Sequence, residues 1–254
     1  METKNKIALI TGGSRGLGKN MALAIARKGI DVVITYNANK KAADEVIEEI
    51  QLMGQNAVAF QLDTSDITGF DTFVEQLTTH LVRETGQPNI DFLINNAGTA
   101  LYAPVTDTTE QQMDAVFNIH YKGVFFLTQK LLPYLNNGGG IVNISSGLTR
   151  MVMPGSSVYG SLKAAVETLT RYQAKELGER RIRVNVVAPG AIETDFGGGR
   201  VRDNKEINSQ IAGITALGRT GLPDDIGGVV AFLCTDEAFW INAQRIEVSG
   251  GQAI

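Results

Sequence analysis

The sequence predicts an α/β fold, a single doubly wound domain built on a seven-stranded parallel sheet. Three observations carry that reading. Short apolar runs alternate with longer segments of helical periodicity along almost the whole chain. The connections between most of them are two to six residues long, and the first run enters a glycine-rich turn that opens a helix.

Each element has its own reason. Lys6–Gly12 contains Ile7-Ala8-Leu9-Ile10, apolar on both faces as a strand between two helical layers requires. From Leu17 to Lys28, the residues Leu17, Met21, Ala22, Ile25 and Ala26 recur at helical spacing until Gly29 stops the pattern. Asp31–Tyr36 is short and β-branched, a second strand. Lys40–Met53 is helical, with Ala43, Val46, Ile47 and Ile50 on one face and Gly54 beyond its end. The alternation continues through a strand at Ala57–Leu62, a helix at Ile67–Val82, a strand at Ile90–Asn95 and a long helix at Glu110–Leu135. A strand at Gly140–Ser145, a helix at Ser156–Leu177 and a strand at Arg183–Ala188 follow, then a helix at Asp224–Leu233 and a last strand at Arg245–Val248. Residues 191–221, which include Gly197-Gly198-Gly199, read as one irregular loop of the kind that closes over a ligand. No linker, low-complexity tract or repeat divides residues 1–254.

Composition removes several function classes. With 254 residues, 43% hydrophobic and 20% charged, the chain can bury a sizeable core and lacks the signature of disorder. One cysteine excludes an internal disulfide or a cysteine-rich zinc site and fits a reducing compartment. A net charge of −4 gives no electrostatic reason to bind nucleic acid or an anionic membrane. Residues 1–6 lack the apolar stretch of a signal peptide, and no apolar run nears the roughly 20 residues of a membrane helix. The expectation is a soluble, cytoplasmic protein without nucleic-acid or membrane partners. His80 and His120 lack a partner at metal spacing and read as structural, so no metal is expected; Cys234 reads as a core thiol.

Thr11-Gly12-Gly13-Ser14-Arg15-Gly16-Leu17-Gly18 lies between the first strand and the first helix. Glycine there permits positive φ and lets backbone N–H groups approach a pyrophosphate, which a helix N-terminus also favours electrostatically. The end of the second strand, Tyr36-Asn37-Ala38-Asn39, offers no acid to hold the ribose hydroxyl of NAD. Arg15 projects from the turn towards that region and can pair a 2′-phosphate, which points to NADPH rather than NADH.

Tyr159 and Lys163 are four residues apart and share one helical face. Ser146 ends the strand before that helix, at the carboxyl edge where open α/β sheets bind ligands. Bringing a phenol from its reference pKa of ~10 to ~7 takes about 4 kcal/mol. One ammonium at ~4 Å supplies roughly that at an effective dielectric of about 20. Tyrosine and lysine together therefore make a workable acid/base.

With these motifs in order, the chain resembles the short-chain dehydrogenase/reductase family, in its branch of single-domain Rossmann-type enzymes. The resemblance spans Thr11 to Gly18, Asp63, Asn95-Asn96-Ala97-Gly98, Asn118, Ser146, Tyr159-x3-Lys163, Pro189-Gly190, Thr194, Gly218-Arg219, Pro223–Ile226 and Gly250-Gly251. It implies that Tyr159 is the acid/base, that Lys163 lowers its pKa and binds ribose, that Ser146 hydrogen-bonds the substrate oxygen, and that Asn118 holds a relay water. It also implies cofactor contacts from Gly12, Ser14, Arg15, Gly16, Leu17 and Gly18, from Tyr36, Asn37, Asp63, Thr64, Asn95, Ala97 and Gly98, and from Pro189, Gly190, Ile192 and Thr194. Glu84–Asn89 looks longer than usual for the family, and Ile241–Gln244 and Ser249 depart from its pattern near the C-terminus.

The expected substrate is a small-molecule ketone or aldehyde with a hydrophobic arm, lined by Ser146, Leu148, Met151, Met153, Pro154, Tyr159 and Phe196, with Leu101 and Tyr102 from a neighbouring loop. A 3-oxoacyl thioester is the narrower alternative, in which Arg180-Arg181 would meet an acidic carrier. The family resemblance implies a homotetramer or dimer. A nicotinamide-binding redox sensor without turnover is the competing reading, but a sensor has no chemical need for Ser146, Tyr159 and Lys163 together.

Overall fold

The computed structural model describes residues 5–254; residues 1–4, part of the stretch where no signal peptide is expected, lie outside them. Seven strands form one sheet in the order β3-β2-β1-β4-β5-β6-β7, and every pairing is parallel. The strands are β1 (Ile7–Ile10), β2 (Asp31–Tyr36), β3 (Ala57–Gln61), β4 (Ile90–Asn95), β5 (Leu135–Ile144), β6 (Arg183–Pro189) and β7 (Arg245–Val248). Chain order reverses direction beside β1, between β1 and β4, and there the carboxyl ends of the strands part into a crevice.

β1 shows why a continuous apolar run makes a central strand. All four residues are buried, but Ala8 and Ile10 enter one core and Ile7 and Leu9 the other, as a period of two dictates. The first core is closed by α1 (Gly16–Ala26), α2 (Lys40–Leu52) and α9 (Asp224–Leu233), through Met21, Ile25, Val46, Ile50, Ile226 and Val230. The second is closed by α3 (Phe70–Thr85), α5 (Val124–Leu131) and α6 (Ser157–Glu176), through Phe70, Leu77, Leu127, Leu131 and Ala174. Gly227 lets α9 approach Asn20 of α1 closely. Cys234 is fully buried, and burial pushes its thiol up to about 12. No helix among the described residues is long and apolar enough to cross a membrane.

The structure departs from the sequence reading in three places. The long helix expected at Glu110–Leu135 begins as α4 (Glu110–Phe117), passes through a π-helical turn at Asn118–Gly123, and resumes as α5. Gly123 permits that turn because it presses on the Thr64 carbonyl, where a side chain would collide. Second, Pro133 ends the helical run, and β5 starts at Leu135, five residues before the expected Gly140, with a register shift between Ile90 and Phe92. Arg180 holds that junction, donating to the Leu132 carbonyl at 2.8 Å and to Asn137 Oδ1 at 2.9 Å. Third, residues 191–221 are not irregular. They contain α7 (Arg200–Asp203) and α8 (Lys205–Gly213), the latter capped by Asn204, whose side chain accepts from the Glu206 and Ile207 amides at 3.0 Å. The three preceding glycines, all at positive φ, masked the helical pattern. Elsewhere the differences are small: a short helical turn at Ile67–Gly69 precedes α3, which extends to Thr85 and stops at Gly86 (φ 74°), inside the stretch that looked longer than usual.

A polar seam joins α6 to β5 and its neighbour. Asn143 accepts from Asn95 Nδ2 at 2.8 Å and donates to Thr170 Oγ1 at 2.9 Å and Gln173 Oε1 at 3.1 Å. Asn95 also donates to Thr128 Oγ1 at 3.1 Å, which ties in α5. Asn143→Ala would leave three buried side chains short of a partner. It should destabilise the protein by about 2–3 kcal/mol, measured by urea unfolding; a loss below about 0.5 kcal/mol would show that the seam is not needed.

Candidate active site

The crevice at the carboxyl edge is a cleft of about 1020 Å³. One end is the glycine turn. Gly12 (φ 66°) and Gly16 (φ 54°) are left-handed, and a Cβ at Gly13 would lie 2.5 Å from the Ile34 Cβ, so the turn is pressed against β2. Arg15 leads into α1, whose first turn carries no acid and no side-chain cap. The first amides of a helix have no intrahelical partner, so this end offers donors and partial positive charge to an anion. Arg15 is exposed and makes no ion pair with any described residue, whereas Lys40 is held by Asp44 at 2.8 Å and does not line the cleft.

From the turn the wall runs past Ser14, Leu17, Gly18, Tyr36, Asn37, Asp63 and Thr64 on one side. Asp63 Oδ1 accepts from the Ser65 amide at 2.8 Å and hydroxyl at 2.6 Å. Ala97, Gly98, Pro189, Gly190, Ile192 and Thr194 line the other side. The uncapped helix end, the glycines of the turn and the unpaired Arg15 fit an anionic dinucleotide.

Ser146, Tyr159 and Lys163 meet in the middle of the cleft. Ser146 caps a short helical turn, accepting from the Leu148 amide at 3.2 Å, and its hydroxyl hydrogen-bonds the Tyr159 phenol. Lys163 is buried, its Nζ donates to the Ile144 carbonyl at 2.7 Å, and it lies 5.7 Å from the centre of the Tyr159 ring. Burial pushes the amine down to about 7. The phenol moves the other way from expectation: desolvation raises it, Ser146 opposes the rise, and the Tyr102 phenol adds to it. The amine sits beside the ring and is itself desolvated, and burial is the largest influence on both groups.

Leu148, Met153 and Phe196 line the far end, with Phe196 5.9 Å from Tyr159 between ring centres. Three sequence-derived residues stand elsewhere, and one of them, Pro154, lies outside the cleft lining that Met151 and Met153 reach. Asn95 lies below the floor, in the seam with Asn143, and its neighbour Asn96 lines the cleft instead, donating to the Thr11 carbonyl at 2.8 Å. Asn118 begins the π-helical turn outside the lining, whereas Ile119 and His120 from the same turn reach it.

His120 is the residue that sequence reasoning most undervalued. It is buried, with Nε2 2.7 Å from the Thr99 carbonyl, and its ring meets Tyr159 edge-on at 5.1 Å. Burial first, and then the Lys163 charge, hold its imidazole down at about 3. Its position two residues after Asn118 was the available signal, but only the π-helical turn aims it at the cleft. Arg200, Ile211 and Gln252 also line the cleft and were missed, the first two because their segment had been read as irregular. Among the described residues no group of three or more His, Cys, Asp or Glu side chains could hold a metal ion.

Comparison with known proteins adds the following. The family model described as enoyl-(acyl carrier protein) reductase matches residues 12–253. The hydroxynaphthalene reductase-like protein Arp2 of Metarhizium robertsii is 37% identical, over 97% of this chain and 94% of that one. The structure of LugOII, a promiscuous reductase catalysing keto-reduction at C1 during lugdunomycin biosynthesis, is similar with a TM-score of 0.93 and 36% identity over 100% of both chains. The landomycin C-6 ketoreductase LanV, solved with NADP and rabelomycin, has a TM-score of 0.89 and 34% identity over 98% of this chain and 96% of that one.

The buried amine has a consequence for stability. Between about pH 7 and 10.5 folded Lys163 binds fewer protons than it does unfolded, so this group makes stability rise with pH across that window. Tyr159, with its pKa raised, reverses the slope above pH 10. Urea midpoints for the cofactor-free protein between pH 7 and 9.5 should show the rise, and Lys163→Met should flatten it. An unchanged slope in the variant would mean that the amine is hydrated.

Proposed function

Because the chain belongs to the short-chain dehydrogenase/reductase family, and so is an NAD(P)-dependent oxidoreductase, we propose that it reduces a ketone or aldehyde to an alcohol with NADPH preferred over NADH. The observation that carries this reading is the meeting of Ser146, Tyr159 and Lys163 in a cleft whose end is built for phosphate. In this reading Gly12, Ser14, Gly16, Leu17 and Gly18 hold the diphosphate, Arg15 with Tyr36 and Asn37 takes the 2′-phosphate, and Asp63 and Thr64 face the adenine. Ala97, Gly98, Pro189, Gly190, Ile192 and Thr194 hold the ribose and nicotinamide end. Bound there, the reduced cofactor supplies the hydride.

The remaining work belongs to the chain. Tyr159 gives its hydroxyl proton to the carbonyl oxygen as charge develops there, and Ser146 donates a hydrogen bond to the same oxygen. The raised phenol pKa suits this direction, since the group arrives protonated. Lys163, poised near pH 7, can return a proton to Tyr159, with Asn118 holding the water that connects the amine to solvent. Residues 191–221 act as the substrate lid, within one domain spanning residues 1–254.

A ketone on a hydrophobic frame is the substrate we favour. LugOII and LanV are described by keto-reduction, and Leu148, Met153 and Phe196 supply an apolar lining here. The 3-oxoacyl thioester is less well supported, because Arg180 is committed to the α5–β5 junction. We further place the enzyme in the cytoplasm as a dimer or tetramer. The exposed run Met113, Phe117 and Phe125 along α4 and α5 supports association.

Following NADPH absorbance with a panel of ketones tests the activity. Tyr159→Phe should lower kcat by about 10²-fold or more while NADPH affinity stays nearly unchanged, and near-normal turnover would remove Tyr159 from the role. Arg15→Ala should weaken NADPH by roughly tenfold or more and NADH hardly at all. Equal losses for the two cofactors, measured by fluorescence titration, would show that Arg15 does not read the phosphate.

A further inference from the structure

The substrate end of the cleft contains a cation that the reaction does not use. Arg200, the first residue of α7, lines the cleft with its guanidinium 5.0 Å from the centre of the Tyr102 ring. Nearby arginines are committed: Arg202 pairs with Asp195 and Asp203, and Arg219 with Asp225. Arg200 makes no hydrogen bond or ion pair with any described residue. The acidic residues of the lining cannot serve it. Asp63 lies at the cofactor end and is engaged by Ser65, and Asp195 is taken by Arg202.

The placement of this cation is built into the chain. Gly197 adopts φ 62°, and a Cβ there would lie 2.9 Å from the Tyr102 hydroxyl oxygen, so glycine lets the segment after β6 close against the Tyr102 ring. The same segment carries Arg200 onto the face of that ring, an arrangement that favours a planar cation. Phe196 and Tyr159, 5.9 Å apart between ring centres, line the same cleft, with His120 edge-on to Tyr159. The chain as a whole is negative at −4, so an unpaired arginine in this position is not part of a generally basic surface.

We propose that this end of the cleft takes an aromatic ketone bearing an anionic oxygen group, such as a carboxylate, and that Arg200 is the specificity residue that pairs with it. The proposal rests on the ketoreductase reading for the reaction but not for the binding. The ring walls supply stacking for the flat frame, and the guanidinium, exposed at the open side of the cleft, supplies a charge-assisted hydrogen bond.

The test uses 6-acetyl-2-naphthoate and its neutral amide, two ketones of nearly equal shape. With NADPH, the full-length protein should show a kcat/KM ratio of acid to amide of roughly tenfold or more. Arg200→Lys should retain part of that preference, Arg200→Leu should bring the ratio near one, and Arg200→Glu should invert it. Calorimetric titration of the same pair in the presence of NADP+ gives the ratio of Kd values without turnover. If neither ketone is reduced but the acid still binds more tightly in an Arg200-dependent way, the activity reading fails and this one stands. A ratio near one in the unaltered protein, or a preference that survives Arg200→Leu or Arg200→Glu, overturns it.

Discussion

The site depends on how α6 is seated on β5. A helix that packs on a sheet normally does so through apolar side chains alone, but the edge of α6 facing β5 carries Lys163, Glu167, Thr170 and Gln173, at helical spacing along one face. Each makes a hydrogen bond to β5 or to Ser145 just beyond it. Lys163 reaches the Ile144 carbonyl, Glu167 the Ser145 hydroxyl at 2.7 Å, and Thr170 and Gln173 the Asn143 amide. Directional bonds of this kind fix the axial register of the helix, which hydrophobic contact does only loosely. That register sets the depth of Tyr159 and Lys163 relative to Ser146 at the end of the strand.

The same seating explains the electrostatics of the cleft. Lys163 is placed where its charged form is poorly solvated, so the amine is held near its neutral point. Tyr159 is withdrawn from water beside it and stays a phenol. Both perturbations come from burial, but they act differently: the amine is brought near neutrality, whereas the phenol is held protonated. Arg245 extends the arrangement outward by pairing with Glu167 at 2.8 Å, and Glu247 bridges Arg245 to Arg150, so β7 braces the outer side of the seam. Glu247 is held down at about 2, Arg150 being the largest cause. These cations are neutralised, in contrast to Arg15 and Arg200 at the two ends of the cleft.

Much of this was legible along the chain. The seven strands, the parallel topology and the helix faces follow from local periodicity, because a strand buried on both sides must be apolar throughout and a surface helix must carry a stripe. Tyr159 and Lys163 could be paired from their spacing, since four residues is one helical turn. What was not legible lies where tertiary contact overrides local pattern. Gly123, at the end of the π-helical turn Asn118–Gly123, packs against the Thr64 carbonyl, a residue 59 positions earlier in sequence. The helices after Gly197–Gly199 were hidden because three glycines argue locally for a loop, whereas Asn204 and buried Ile211 settle the helix.

By itself, the sequence determined which residue types the reaction has available and the order in which the sheet presents them. Periodicity, glycine placement and short spacings are local properties, and local physics reads them. The tertiary structure alone decided which of those residues face one another and in what solvent environment. It put Asn95 under the floor and His120 against Tyr159, and it left Arg200 without a counter-ion. The reason is that burial and charge pairing depend on neighbours far apart in the chain, and no local pattern encodes them.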